Sequence, residues 1–285
     1  MGFLRKFNRE IVVAVLLFAN LFVWASVYAR QPGDALRVYF LDVGQGDSIL
    51  IDTPSHKRLL LDGGPNRQVL SELGKILPFA DKRIDVLVES HPDKDHIGGL
   101  PEVVDRYKVS LFLEPGVLSD NTIDDELKKR VGEKNIPTLL ARRGMKINFG
   151  DGAEVLILFP NRDVTGWETN DASIVAKLVY GGKSFLLTGD SPKKIEFILL
   201  GLNQEILKST VLKLGHHGSR TSTSLLYAET VSPEYAVISA GKDNSYGHPH
   251  KEVLEIMKEI GAQIASTAEL GTILFETDGK NLKIK

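Results

Sequence analysis

Four separate apolar runs in this chain end on a side chain able to hold a metal ion, and that recurrence constrains the fold more than any other feature. Asp62 follows Arg58-Leu59-Leu60-Leu61, His91 follows the run 84–90, Asp190 follows 184–189, and the pair His216-His217 follows 211–215. Runs of this length read as strands, and strand ends in one layer can converge on one pocket although they lie far apart in the chain. Scattered surface histidines would not keep that register. Strands are predicted over 36–42, 48–52, 58–62, 84–89, 110–113, 154–159, 174–180, 184–187, 210–214, 235–239 and 272–276. Helices are predicted over 67–77, 98–107, 123–133, 193–200, 224–229 and 251–260. Many strands with fewer helices, early hairpins and later strand–helix alternation predict an α/β (α+β) fold of two sheets with outer helices. A chain of 285 residues, 42% of them hydrophobic, can bury a substantial core without disulfides, and cysteine is absent. Any metal must therefore sit on His, Asp or Glu.

The densest cluster is His91-Pro92-Asp93-Lys94-Asp95-His96, which leads into a predicted helix. In an extended loop His91 and Asp93 point to one side while the adjacent Asp95 and His96 diverge. Two imidazoles and two carboxylates so arranged can serve two neighbouring ions instead of crowding one. A charged loop that only capped the helix would need fewer of them. Asp62 reads as a carboxylate that orients a metal-bound imidazole. Asp42, Gln45 and Asp47 either act in the same way or shape the first hairpin. His56 falls in a predicted hairpin turn and is expected in solvent. His248 and His250 flank Pro249, where a histidine either enters the pocket or starts the helix that follows; the pocket is the expectation for His248.

Taken in order, the stretches Leu41-Asp42-Val43-Gly44-Gln45-Gly46-Asp47, Leu61-Asp62-Gly63-Gly64, Ser90 through Gly99, Leu187-Thr188-Gly189-Asp190, Leu214 through Ser219 and Tyr246-Gly247-His248-Pro249 resemble the extracytoplasmic hydrolase domain of ComEC-type competence proteins. The cluster at 91–96 resembles the metallo-β-lactamase signature His-x-His-x-Asp-His, with Asp93 in place of the second His. The likeness spans residues 36–277 and implies the αββα sandwich of that family. It further implies that His91 and Asp93 bind one metal, that Asp95 and His96 bind a second, that Asp190 bridges both, and that His217 completes the second site. Adjacent His216 is then expected to act at the substrate as acid or phosphate donor, the reverse assignment of the pair being the alternative, with Asp95 and His248 counted beside it among the catalytic residues. Ser219 and Arg220, after Gly218, suit an anionic group. Zinc lactamases carry a further His before the bridging Asp, but here none occurs between His96 and His216, so either Asp171 or Asn170 in that interval substitutes for it or the first site is weaker. More oxygen and fewer imidazole ligands move the expected pair of divalent ions from zinc towards manganese or magnesium.

Arg5, Lys6 and Arg9 precede 19 uncharged residues, 11–29. At about 1.5 Å per residue such a run is nearly 30 Å long as a helix, enough to cross a bilayer. The expected organisation is a basic cytoplasmic segment 1–10, a transmembrane anchor or signal segment 11–29, a linker 30–35 and one hydrolase domain 36–285 outside the cytoplasm, either anchored or released by cleavage after Ala29. Beyond residue 30 there remain 31 basic residues against 36 acidic, a net charge of −5. That balance opposes binding along an extended nucleic acid. The expected activity is hydrolysis of a phosphodiester by water activated between two metals, with DNA as the substrate that the resemblance suggests. The alternatives are a small phosphoester such as a wall or lipid headgroup, a carboxylic ester or lactam, or a domain that binds DNA or a partner without catalysis. No sequence feature signals a protein partner.

Overall fold

The computed structural model describes residues 2–28, 35–202 and 204–285, with side chains described for 9–24 in the first of these stretches. The apolar N-terminal run lies in helix α1 (Gly2–Tyr28), whose side chains from 9 to 24 are all exposed. Among the described residues no helix is long and apolar enough to cross a membrane, so the transmembrane reading gains no support from the structure. The side chains of 25–29, the linker residues 30–34 and the cleavage position after Ala29 lie outside the described residues.

In the first half of the domain, β1 (Leu36–Phe40), β2 (Ile49–Asp52), β3 (Arg58–Leu61), β4 (Arg83–Val88), β5 (Lys108–Glu114) and β6 (Thr138–Leu140) pair in chain order. The second half builds another sheet from β7 (Lys146–Asn148), β8 (Ala153–Phe159), β9 (Val175–Tyr180), β10 (Lys183–Leu187), β11 (Val211–Lys213), β12 (Tyr235–Ile238) and β13 (Gln263–Ser266). The chain then returns to the first sheet, where β14 (Ile273–Thr277) pairs with β1 and β15 (Leu282–Ile284) closes that edge. The eleven strands predicted from sequence are all present. Among the described residues the four that were not predicted, β6, β7, β13 and β15, are the terminal strands of the two sheets. Each has three or four residues and an exposed side, so the alternation that reveals a half-buried strand has no length in which to appear.

Strand alternation assigns the layers. Ile49, Ile51, Leu59 and Leu61 face the second sheet and pack with Val155, Ile157, Leu178, Phe185 and Val237, whereas Leu50 and Leu60 between them face outward. Phe275 of β14 spans the gap, with ring centroids 5.9 Å from Phe185 and 5.5 Å from Tyr235, both nearly edge-on. Over the outer face of the first sheet lie α2 (Gln68–Ile76), α4 (Leu100–Arg106) and α5 (Thr122–Glu133), through Val69, Leu73, Val103 and Leu127. Over the second lie α6 (Lys193–Leu202), α7 (Leu225–Val231) and α8 (Lys251–Glu259), through Ile195, Leu199, Tyr227 and Met257. The layering is α/β/β/α, as expected. Two parallel sets, β3-β4-β5 in one sheet and β10-β11-β12 in the other, carry at their C-terminal ends the loops in which Asp62, His91, Asp190 and His217 stand.

Candidate metal centre

Asp62 organises the first-sheet side of the centre. It is fully buried in a left-handed conformation (φ 62°), which a non-glycine residue adopts only when its surroundings impose it. Its Oδ1 accepts from Ser90 N at 2.8 Å, and its Oδ2 accepts from Ser90 Oγ at 2.6 Å and from His96 Nδ1 at 2.8 Å. Because the one hydroxyl proton of Ser90 is given to Asp62, its oxygen is left to accept from His91 Nδ1 at 3.0 Å. A single carboxylate therefore fixes the proton of two imidazoles on Nδ1, one directly and one through Ser90. Both Nε2 atoms are turned into the centre, where His96 Nε2 lies 3.3 Å from Asp190 Oδ1 and His91 Nε2 lies 3.7 Å from Asp93 Oδ2. These are the contacts through which Asp62 would orient metal-bound imidazoles. Ser90 was not anticipated, since a lone serine carries no signal of its own.

The cluster at 91–96 is not the extended loop that its sequence suggested. Asp93 is the N-cap of a short helix, α3 (Lys94–Ile97), so Asp95 and His96 diverge by about 100° around a helix axis instead of alternating along a strand. Helix α3 is held from below by the β1–β2 loop. Asp47 N donates to Asp95 O at 3.2 Å, and a Cβ at Gly46 (φ +136°) would lie 2.1 Å from the same oxygen, so only glycine fits there. Asp95 Oδ2 lies 3.2 Å from His217 Nε2.

The histidine pair also departs from the extended geometry that its sequence suggested. His216 (φ 48°) and His217 (φ 55°) are consecutive left-handed residues in a tight turn after β11, and their rings still diverge, with centroids 6.0 Å apart at 75°. At roughly 1–3 kcal/mol each, such conformations persist only where surrounding contacts over-determine them. Here Ser222 Oγ donates to Gly215 O and His250 N donates to Gly218 O. Buried His217 donates from Nδ1 to Ser239 O at 2.8 Å, leaving Nε2 3.3 Å from Asp190 Oδ2. His216 is part-exposed, bonds Thr221 Oγ1 through Nδ1 at 3.1 Å, and holds Nε2 3.8 Å from Asp190 Oδ2.

Asp190 thus presents one oxygen to His96 and the other to His217 from the space between the sheets. Two further residues complete this region, Asp47, for which the sequence left an orienting or a hairpin role open, and Lys213, which sequence reasoning left out. Asp47 is fully buried, with Oδ1 3.4 Å from His217 Nδ1 and Oδ2 3.9 Å from His96 Nδ1, and it is ion-paired to Lys213. Lys213, the last residue of β11, is itself fully buried. Nothing in its sequence position marks it, because only the return of the β1–β2 loop supplies its partner.

A cavity of about 150 Å³ opens above these groups, lined by Gln45, Asp93, Asp95, Asp190, His216, His217, Tyr246 and His248. Gln45 Oε1 accepts from Gly241 N at 3.1 Å, which leaves its amide NH₂ as the end available to the cavity. Tyr246 stacks on His248 at the mouth, 5.7 Å between centroids. The expected anion site at Ser219 and Arg220 is not part of this lining. Ser219 is buried with its hydroxyl engaged by Thr221, and exposed Arg220 reaches Glu252 at 3.6 Å. Asp171, considered as a replacement for the missing histidine, is instead ion-paired to Lys194, while Asn170 keeps a buried, unpartnered Oδ1. His250 caps α8, and its Nδ1 accepts from Arg220 N. His56 is half-buried 3.6 Å from Asp52, not free in solvent as its turn suggested.

Several observations show that the centre fits divalent cations. His91 Nε2, His96 Nε2 and Asp190 Oδ1 are buried without a hydrogen-bond partner among the described residues, which is costly unless something else satisfies them. Burial pushes His91 down to about 3, so its ring is neutral and able to ligate. His96 and His217 go the other way. Burial opposes their protonation, yet Asp190, with Asp62 for one and Asp47 for the other, raises both well above the ordinary imidazole value. Carboxylates placed so that they favour positive charge on two buried rings suit a bound cation. Asp47, His96, Asp190 and His217 each offer an atom within 4.8 Å of the others. Of these four, Asp47 faces the Nδ1 edges and an ammonium, so it lies behind the rings and not among the groups that converge on Asp190.

Residues 41–242 match the family described as the metallo-beta-lactamase superfamily. ComE operon protein 3 of Bacillus subtilis (strain 168) is 31% identical over 255 residues, covering 84% of this chain and 32% of that protein. Competence protein ComA of Neisseria gonorrhoeae is 32% identical over 263 residues, covering 92% and 35%. The chain spans about a third of the length of these relatives. Among solved structures, Igni18, described as a novel metallo hydrolase from the hyperthermophilic archaeon Ignicoccus hospitalis KIN4/I, shares the fold with a TM-score of 0.54 at 17% identity, covering 85% of this chain and 99% of that one.

Proposed function

Because the chain belongs to the metallo-β-lactamase superfamily, we propose that it is a hydrolase that holds two divalent ions, zinc or manganese with magnesium as a third choice, and cleaves phosphodiesters. The observation that carries this reading is Asp190, a buried carboxylate whose two oxygens face imidazoles delivered by different sheets. His91 and Asp93 would hold one ion, Asp95, His96 and His217 the other, and Asp190 both. Ions bound there supply an activated water and neutralise charge developing on phosphate. The chain's own groups do the rest. His216 and the Gln45 amide line the cavity as donors for phosphoryl or leaving-group oxygens, His248 and Tyr246 wall its mouth, and Asp62 with Ser90 and Ser239 keep the imidazole protons on the far ring edges.

Similarity to competence proteins supports DNA as the substrate and competence as the setting. The net charge of −5 beyond residue 30 favours a second reading, in which the substrate is a small phosphoester such as a wall or lipid headgroup. The proposal includes an extracytoplasmic position on the N-terminal segment, supported by three basic residues ahead of an uncharged run. Metal analysis together with turnover of bis-nitrophenyl phosphate, DNA, phosphocholine esters and nitrocefin tests it. Turnover of nitrocefin alone would reject phosphodiester hydrolysis, and a metal-free, inactive chain would reject the enzyme reading.

A further inference from the structure

A lysine ammonium is an unexpected neighbour for a centre that attracts cations. Lys213 Nζ lies against Asp47, donates to Gly189 O at 3.2 Å and stands 3.7 Å from Asp190 Oδ1. Burying that charge is costly unless it is paired, and Asp47 is the pair. Among the described residues around the centre, the five carboxylates of Asp47, Asp62, Asp93, Asp95 and Asp190 stand against this one ammonium. The balance is −4, which two divalent ions neutralise. Asp190 is the carboxylate those ions would share, and an ammonium released from Asp47 has it as the nearest other anion.

We propose that Asp47 is a positioning residue that holds the Lys213 ammonium off Asp190, so that the pair sets the charge of the centre and leaves Asp190 free to bridge two ions. Asp47 is suited to this and not to ligation. Its Oδ2 is ion-paired to Lys213, and its two oxygens face the Nδ1 edges of His217 and His96, away from the side on which Asp190 meets both rings. The inference rests on the two-ion reading given above.

The test measures metal affinity and stoichiometry, with Mn²⁺ and Zn²⁺, on chelator-stripped full-length wild type, Asp47→Asn, Lys213→Met and the double variant, with circular dichroism as the check of folding. Asp47→Asn frees the ammonium to compete for Asp190, so binding should weaken by about 10–100-fold. Lys213→Met should bind at least as tightly as wild type. The double variant should recover to within a few-fold of wild type, because the competitor is gone. If Asp47 were a ligand, the double variant would stay as weak as Asp47→Asn. If the pair were only structural, all four proteins would bind alike. Either result overturns the proposal, and should Lys213→Met fail to fold, Asp47→Asn against the double variant decides by itself. Fewer than two ions in wild type would reject the two-ion reading and this proposal with it, whereas two ions in wild type with an unrecovered double variant would reject the proposal alone.

Discussion

Asp62→Asn keeps the size and shape of a fully buried side chain while removing one of its two acceptor ends. In the native protein Oδ1 accepts from Ser90 N, and Oδ2 accepts from both Ser90 Oγ and His96 Nδ1, at 2.8, 2.6 and 2.8 Å. An amide oxygen can still serve Ser90 N, but the NH₂ then confronts two donors. Two hydrogen bonds to a charged group are lost, at about 1.5–3 kcal/mol each, or about 3–6 kcal/mol together. That is a large share of the roughly 5–15 kcal/mol that holds a domain folded. His96 can relieve the conflict by accepting at Nδ1 and moving its proton to Nε2. It then presents an N–H, not a lone pair, towards Asp190, whose Oδ1 lies 3.3 Å away. Metal affinity should therefore fall by about 10–100-fold, and the melting temperature should drop in a way that added metal restores only in part. Calorimetric titration of the stripped protein and thermal unfolding with and without metal measure both effects. Wild-type affinity with an unchanged melting temperature would refute the claim that this carboxylate sets the imidazole protons.

The two members of the histidine pair should separate. His217→Ala should lose bound metal, while His216→Ala should keep it and lose turnover by about 10²–10⁴-fold, least for substrates with a nitrophenolate leaving group; depletion in His216→Ala with full occupancy in His217→Ala would reverse the roles. Asp95→Asn and Asp190→Asn should each abolish hydrolysis and His250→Ala should not, which a single panel of initial rates checks. At the far end of the first sheet, Asp81 is held down at about 2, chiefly by its hydrogen bond from Arg83. A depressed carboxyl adds stability above its ordinary value of 3.8 and loses it as pH falls towards about 2. Asp81→Asn should thus flatten the acid limb of unfolding, and identical acid limbs in both proteins would contradict that pairing. A chain beginning at Asp34 should remain in solution without detergent, which sedimentation after detergent removal would show.

Much of this molecule was legible in its sequence, for a physical reason that is local. The C-terminal parts of β3, β4 and β10 (59–61, 86–88 and 185–187) are buried on both faces and apolar, so they announce themselves, and a polar residue soon after such a run stands where the sheet ends. Asp62, His91, Asp190 and His217 were found by that rule, and the cluster at 91–96 by the density of its ligand-type side chains. The edge strands were not legible, because three or four residues paired on one side carry no period. The backbone that aims the ligands was not legible either: helix α3 under Asp95 and the left-handed turn under His216 and His217 arise from contacts with the β1–β2 loop, with Ser222 and with the backbone around Gly218. Lys213 and Asp47 show the limit most plainly. Lys213 alone carries no signal and Asp47 reads only as a loop carboxylate with an orienting or a hairpin role, because the sequence carries no measure of how the 165 residues between them fold back. Only the packing of one sheet on the other brings β11 beneath the β1–β2 loop, and there, with water excluded, two such charges must pair.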